Sequence, residues 1–104
     1  MSQKGFLMYL KAGAENEYKK RHEKLWPELE SLLKSYGISN YSIFLDTDTH
    51  ILFACLYCPD DFDQAALAQE PIMQKWWIYM EELMETETNK APKTKDLKQM
   101  FYLK

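Results

Sequence analysis

Histidine, tyrosine and tryptophan are the residues of this chain whose spacing points to chemistry. His22 lies four positions after Tyr18, so in a helix both side chains project from one face. That face also carries Leu25, Leu29, Leu32 and Tyr36, an apolar stripe on which a histidine is costly unless paired. A lone histidine in such a place is more often a satisfied core residue, and two neighbours point the other way. Tyr18 is a polar aromatic beside it, and Pro27 interrupts the helix shortly after, because proline removes a backbone donor and clashes with the preceding turn. A kink next to a polar pair predicts a cavity. Trp76 and Trp77 are adjacent on a second helix, about 100° apart around its axis, so both cannot point straight at one sheet. One packs in the core while the other lines an edge or pocket; pure aromatic core is the blander reading. Tyr41 shares a strand face with Ile43 and Leu45, and its hydroxyl needs a partner if buried.

This set holds no nucleophile triad, no phosphate-cradling loop and no zinc cluster. It suits a small polyhydroxy ligand, whose C–H groups pack on aromatic faces while tyrosine and histidine reach its hydroxyls. An unperturbed histidine titrates near neutrality and can give or take a proton there. Cys55 and Cys58 form a C-x-x-C, but at the end of a strand-like run, where positions three apart face opposite ways. A redox pair wants a helix N-terminus to lower the first thiol's pKa. The expectation is two buried or half-buried free thiols in a reducing, cytoplasmic compartment.

The elements that must position these residues follow from periodicity. Lys4 to Lys11 reads as a strand, apolar at both parities. Glu15 to Tyr36 reads as a helix that kinks or restarts at Pro27 and stops at Gly37. Ile38–Leu45 and Ile51–Tyr57, joined by the turn cluster Asp46-Thr47-Asp48-Thr49, read as a hairpin. Asp60 and Asp61 are placed to cap a short helix to about Gln69, and Pro71 to open another carrying Met73, Trp76, Trp77, Met80, Leu83 and Met84. Thr86 to Asp96 reads as a polar loop, mobile unless it covers something, and Leu97 to Leu103 as a closing strand. The order β-α-β-β-α-β is the ferredoxin-like pattern, an α+β sandwich over residues 1–104 as one domain. Its strands are apolar on both sides, which predicts a second copy packed sheet to sheet, a two-fold homodimer; long loops over that face are the alternative.

Composition narrows the class. The chain has 104 residues, 46% hydrophobic and 14% aromatic, with net charge −3, too apolar and aromatic for a disordered chain. Basic residues are mixed among acidic ones, so no nucleic-acid footprint is expected. The longest apolar run, Ile51 to Tyr57, is too short to span a membrane, and no signal peptide is read at the start.

Several segments together bring a family into view. Tyr18-Lys19-Lys20-Arg21-His22-Glu23-Lys24-Leu25-Trp26-Pro27-Glu28-Leu29 closely resembles the first helix of L-rhamnose mutarotases, and so do Asn40–Leu45, Leu52–Ala54, Gln74–Met80 and Phe101–Leu103. The combination R-H-x-x-[IL]-W-P-E with a later W-W is specific; either alone is weaker. The resemblance covers essentially the whole chain and is loosest in the polar loop Glu85 to Lys95. It implies a dimeric α+β barrel that interconverts the α and β anomers of L-rhamnose without cofactor or metal. It also implies that His22 is the proton donor and that Tyr18, Tyr41, Trp76 and Trp77 contact the sugar; the chemistry of ring opening then makes His22 the acid to the ring oxygen, with a water or a carboxylate as the partner base. Two other readings stay open on the residues: a small dimeric-barrel monooxygenase acting on haem or forming quinones, and a sugar-binding module without turnover.

Overall fold

A computed structural model describes residues 1–104. Strand β1 runs Ser2–Tyr9, α1 Glu15–Glu23, α2 Pro27–Ser35, β2 Ser39–Asp46, β3 Ile51–Cys58, α3 Gln64–Gln69, α4 Pro71–Met80 and β4 Lys95–Leu97, with a single 3₁₀ turn at Glu81–Leu83. The four strands form one antiparallel sheet in the order β2-β3-β1-β4. This is the ferredoxin-like α+β arrangement anticipated from the element order.

Pro27 does more than kink the first helix. It is the first residue of a separate helix, with Trp26 extended before it, because a proline loses nothing where the backbone N–H has no partner anyway. Pro71 opens α4 in the same way. Gly37 ends α2 at φ +82°, a left-handed conformation that costs glycine little. A Cβ there would also lie 2.4 Å from Pro59 Cγ, so the chain needs glycine for conformation and for space.

Several boundaries differ from the sequence expectation: β1 begins and ends two residues earlier than Lys4–Lys11, and the helix opened at Pro71 ends at Met80, short of Leu83 and Met84. The cap of α3 is Asp63, which accepts from the Ala66 N–H at 3.0 Å. Asp60 instead accepts from Ser2 Oγ at 2.7 Å and meets the N-terminal ammonium at 3.1 Å, so its carboxylate is used at the start of β1. The closing strand lies earlier and is shorter than Leu97–Leu103, because only Lys95–Leu97 pairs with β1. Beyond it the chain leaves the ladder, and Met100, Phe101, Tyr102 and Leu103 are exposed. Finally, the segment after Thr86 is a tight hairpin rather than an open loop. Thr86 bridges Pro92, and the Glu87 N–H donates to Ala91 O at 2.8 Å. Lys90 turns at φ +74° and holds Glu81 at 2.8 Å.

The core lies between one sheet face and the helices. Met8, Leu52, Ala54, Leu56 and Cys58 are buried on that face and meet Leu29, Leu67, Met73, Trp76 and Met80 from the helices. The hairpin between β2 and β3 is fixed by Asp46, whose carboxylate accepts from Thr49 Oγ1 at 2.6 Å. Cys55 and Cys58 are free thiols, half-buried and buried, and fall on opposite faces of β3 by register. No helix is long and apolar enough to cross a membrane.

Candidate active site

Helix α1 places Tyr18 and His22 one turn apart. Their rings stack at 4.3 Å with a tilt of 34°. Tyr18 is buried and His22 half-buried. The His22 Nδ1 lies 3.0 Å from the Tyr18 carbonyl oxygen. A carbonyl only accepts, so Nδ1 carries the hydrogen and donates it, which leaves Nε2 as the free lone pair of the neutral ring. Burial pushes the His22 pKa below its ordinary value, and the bond to the Tyr18 carbonyl opposes that only in part. The ring is therefore mainly neutral at pH 7.

Helix α4 supplies the facing wall. Trp76 is buried and meets the His22 ring edge-on at 5.4 Å. It also meets Trp26 edge-on at 5.0 Å and Tyr79 at 5.6 Å. Trp77, one residue along and half-buried, points to the same cavity by another path. The adjacent tryptophans thus divide the work as their helical offset requires: Trp76 is both core and wall, and Trp77 is wall.

The sheet supplies the floor. Tyr41 stands on the helix-covered face of β2 with Ile43 and Leu45, beside Phe6 at 6.3 Å. An extra residue between Ser39 and Ser42, with Asn40 at φ +49°, makes a β-bulge where Tyr41 sits. Tyr41 is 40% exposed as a residue, yet its hydroxyl is desolvated, which pushes its pKa up to about 12. Burial, with the Tyr41 phenol nearby, raises the Tyr18 pKa further still. Both phenols are neutral hydrogen-bond donors at pH 7.

All five residues singled out in the sequence line one small cavity of about 80 Å³, completed by Met8, Ile43, Met73, Met80, Met84 and Pro92. The same five also border a wider cleft of about 1080 Å³ between helices and sheet. The hairpin after Thr86 contributes Asn89, Ala91, Pro92 and Thr94 to that cleft, so the segment read as a polar loop is one of its walls. No group of three or more His, Cys, Asp or Glu side chains is close enough to share a metal ion.

Sequence reasoning passed over three contributors. Trp26 entered only as part of the R-H-x-x-[IL]-W-P-E motif, yet it stacks on Tyr79 at 5.4 Å and buttresses Trp76. Arg21 joins α1 to the end of α4: it donates to Glu17 at 2.8 Å, to the Tyr79 carbonyl at 2.6 Å and to Glu82 at 2.5 Å, and covers the Tyr79 ring at 4.3 Å. Its partners Tyr79 and Glu82 lie about sixty positions away, and no local pattern signals such a contact. Pro92 belongs to a segment without periodicity. The R-H pair was visible in the sequence, but only the fold gives Arg21 its task.

The L-rhamnose mutarotase family model matches residues 3–103. An L-rhamnose mutarotase of Flavobacterium johnsoniae is 48% identical over 98 residues, covering 94% of this chain and 92% of the relative. One of Agrobacterium fabrum is 49% identical with the same coverage. The crystal structure of an L-rhamnose mutarotase from Formosa agariphila superposes with a TM-score of 0.92 over the whole of both chains at 38% identity. With the fold matched from end to end and the family model spanning nearly every residue, this chain belongs to the L-rhamnose mutarotase family.

Proposed function

We propose that this protein is an isomerase that interconverts the α and β anomers of L-rhamnose by acid–base-catalysed opening and closure of the ring. The observation that carries the reading is the convergence of Tyr18, His22, Tyr41, Trp76 and Trp77 on one cavity in a chain of this family. The shared name of its relatives favours this reading over haem or quinone oxidation and over binding without turnover.

Mutarotation breaks the bond between C1 and the ring oxygen and remakes it on the other face of C1. One proton must reach the ring oxygen and another must leave the anomeric hydroxyl; closure reverses both. His22 is the proton-carrying residue of this site, held in one tautomer by Tyr18. Well-placed proton transfer is worth about 10²- to 10⁴-fold, and holding the sugar still adds to it. Trp76, Trp77, Tyr18 and Tyr41 hold the pyranose, the indoles against its C–H faces and the phenols on its hydroxyls. The methionines around the cavity give the apolar lining that the 6-methyl group of a deoxy sugar requires.

The working unit is a homodimer. Leu7, Tyr9, Phe44, Phe53 and Tyr57 share the sheet face that no helix covers, with Phe44 67% exposed. The C-terminal segment adds Phe101 and Leu103 beside it and is tied to the same face through Tyr102 to Tyr57 at 3.4 Å and Gln99 to Gln3 at 2.7 Å. An apolar surface of this kind favours pairing with a like surface. Sedimentation of the wild type and of Phe53→Lys tests it: a dimer that the lysine splits is expected, and a monomeric wild type refutes it.

The activity is tested by proton NMR saturation transfer between the two anomeric signals of L-rhamnose. Exchange should rise in proportion to protein concentration. A folded protein that leaves exchange at the buffer rate refutes the reading, and the same measurement with L-fucose, L-mannose and L-lyxose then locates the sugar.

A further inference from the structure

Ring opening needs two groups that exchange protons, and His22 is one. Of the residues lining the small cavity, only Tyr18, His22 and Tyr41 have a transferable side-chain proton; the remainder are methionines, tryptophans, an isoleucine and a proline. The carboxylates nearest the site, Glu15, Glu30 and Asp96, border only the wider cleft, and Glu30 is engaged with Lys34 at 3.4 Å. Within the small cavity the candidates for the second group are therefore the two tyrosines. Tyr18 is packed against the imidazole and only 8% exposed. Tyr41 comes from the sheet rather than from α1, is 40% exposed, and borders the wider cleft.

We propose that Tyr41 is the second proton-transferring residue: it gives its phenol proton to the ring oxygen while His22 Nε2 takes the proton of the anomeric hydroxyl. The inference rests on the mutarotase reading and deepens it. Nδ1–H is committed to the Tyr18 carbonyl, so the neutral ring offers a lone pair at Nε2, which is a base in the opening step. As that base removes the O1 proton, the O1 electrons form the carbonyl, the bond from C1 to the ring oxygen breaks, and its electron pair takes the proton from Tyr41. The open sugar then lies between an imidazolium and a phenolate, opposite charges that attract in a cavity of low dielectric. After rotation about C1–C2 the C5 hydroxyl attacks the other face, returning its proton to Tyr41, while the imidazolium protonates the carbonyl oxygen. No proton or electron is gained or lost overall. His22 is thus the donor to the sugar in closure, and the ring-oxygen proton belongs to Tyr41 rather than to His22.

The phenol is suited to this use. The phenol starts each cycle protonated; desolvation raises its pKa, so it gives up its proton only as the ring oxygen becomes strongly basic in the opening step. Tyr18 from α1 is the titratable neighbour that its charge affects. Lys4 and Asp96 from β1 and β4, and Glu15 and Lys19 from α1, are the further charged groups along the cleft.

The experiment compares wild type, Tyr41→Phe and a protein carrying 3-fluorotyrosine at position 41, by saturation transfer across a pH series. Tyr41→Phe should lower kcat by about 10²-fold or more, a larger factor than the rise in KM from losing the phenol's hydrogen bond to the sugar. A raised KM with kcat near wild type means that Tyr41 only holds the sugar, and overturns the proposal. The fluorinated ring keeps the shape and makes the phenol a stronger acid, so kcat at neutral pH should rise with KM little changed. A kcat at neutral pH that the fluorine leaves unmoved overturns the proposal even where Tyr41→Phe fails to fold. A wild type without exchange overturns the mutarotase reading and this inference with it, whereas an active wild type with an active Tyr41→Phe removes this inference alone.

Discussion

Replacing His22 by alanine separates chemistry from architecture. The substitution deletes the imidazole but keeps Trp76, Trp77, Tyr18 and Tyr41 around the cavity, so positioning survives. Proton transfer by one well-placed group is worth about 10²- to 10⁴-fold. With the remaining residues intact, a loss of about 10²- to 10³-fold in kcat is expected, or about 2.7–4.1 kcal/mol at about 1.36 kcal/mol per decade. The effect on stability should be smaller. The imidazole makes one neutral hydrogen bond, to the Tyr18 carbonyl, worth about 0.5–1.5 kcal/mol net. Alanine recovers about half a kcal/mol through its higher helix propensity, and it removes a polar ring from an apolar stripe. Deleting the ring also gives up its packing on Tyr18 and Trp76, about 0.5–1.5 kcal/mol for each aromatic contact, so the free energy of unfolding should fall by about 1–3 kcal/mol. Saturation-transfer NMR gives kcat and KM, and a thermal melt of the same sample gives stability. Added imidazole should restore part of the rate by filling the vacated space. A folded variant within threefold of wild-type kcat refutes the role given to His22, and a loss of stability larger than about 3 kcal/mol refutes the claim that the ring serves chemistry rather than packing.

Three further outcomes follow from the same geometry. The His22 pKa is lowered in the native state by burial, so the unfolded chain binds its proton first; the stability from the neutral ring is complete above the unfolded value of about 6.5 and is lost as pH falls through the lower folded value. Denaturant titrations should show this slope, and His22→Gln should flatten it; an unchanged slope refutes the linkage. Leu29→Ala removes a side chain only 1% exposed in the first turn of α2 and should cost about 2–5 kcal/mol by chemical denaturation. Gly37→Ala should cost at least about 1 kcal/mol, since the methyl would meet Pro59 at 2.4 Å and φ is +82°; Pro59→Ala in that background should relieve the clash but not the backbone strain, so partial rescue is the signature.

Much of this site was legible because its first half is local. The four-residue spacing of Tyr18 and His22 requires nothing beyond a helix to put them together, and Pro27 and Pro71 announce helix starts through a missing N–H. The alternation of Tyr41, Ile43 and Leu45 gave the correct face of β2, though not the bulge at Asn40 that ends the alternation. Boundaries failed where side chains had a choice of partner. Asp60, Asp61 and Asp63 can each cap a helix, and which does so depends on Ser2 and the N-terminus reaching Asp60 from β1. The closing strand was placed too late because Met100–Leu103 reads as strand by composition, while pairing with β1 ends at Leu97.

The sequence by itself determined the element order, the helix starts at Pro27 and Pro71, the stripe bearing His22 and the set of aromatic residues, since all of these depend on backbone sterics and on periodicities of two and 3.6 residues. It also carried the family, through a run of residues specific enough to stand without a structure. Only the tertiary structure decided what these residues are to one another. The packing of the helices on the sheet brings Tyr41 of β2 and His22 of α1 to one cavity. The packing of α4 sets Trp76 against the imidazole and, by excluding water, keeps that ring neutral. Arg21 and Pro92 enter through contacts that no local pattern encodes, because burial and long-range register belong to the whole chain and not to any segment of it.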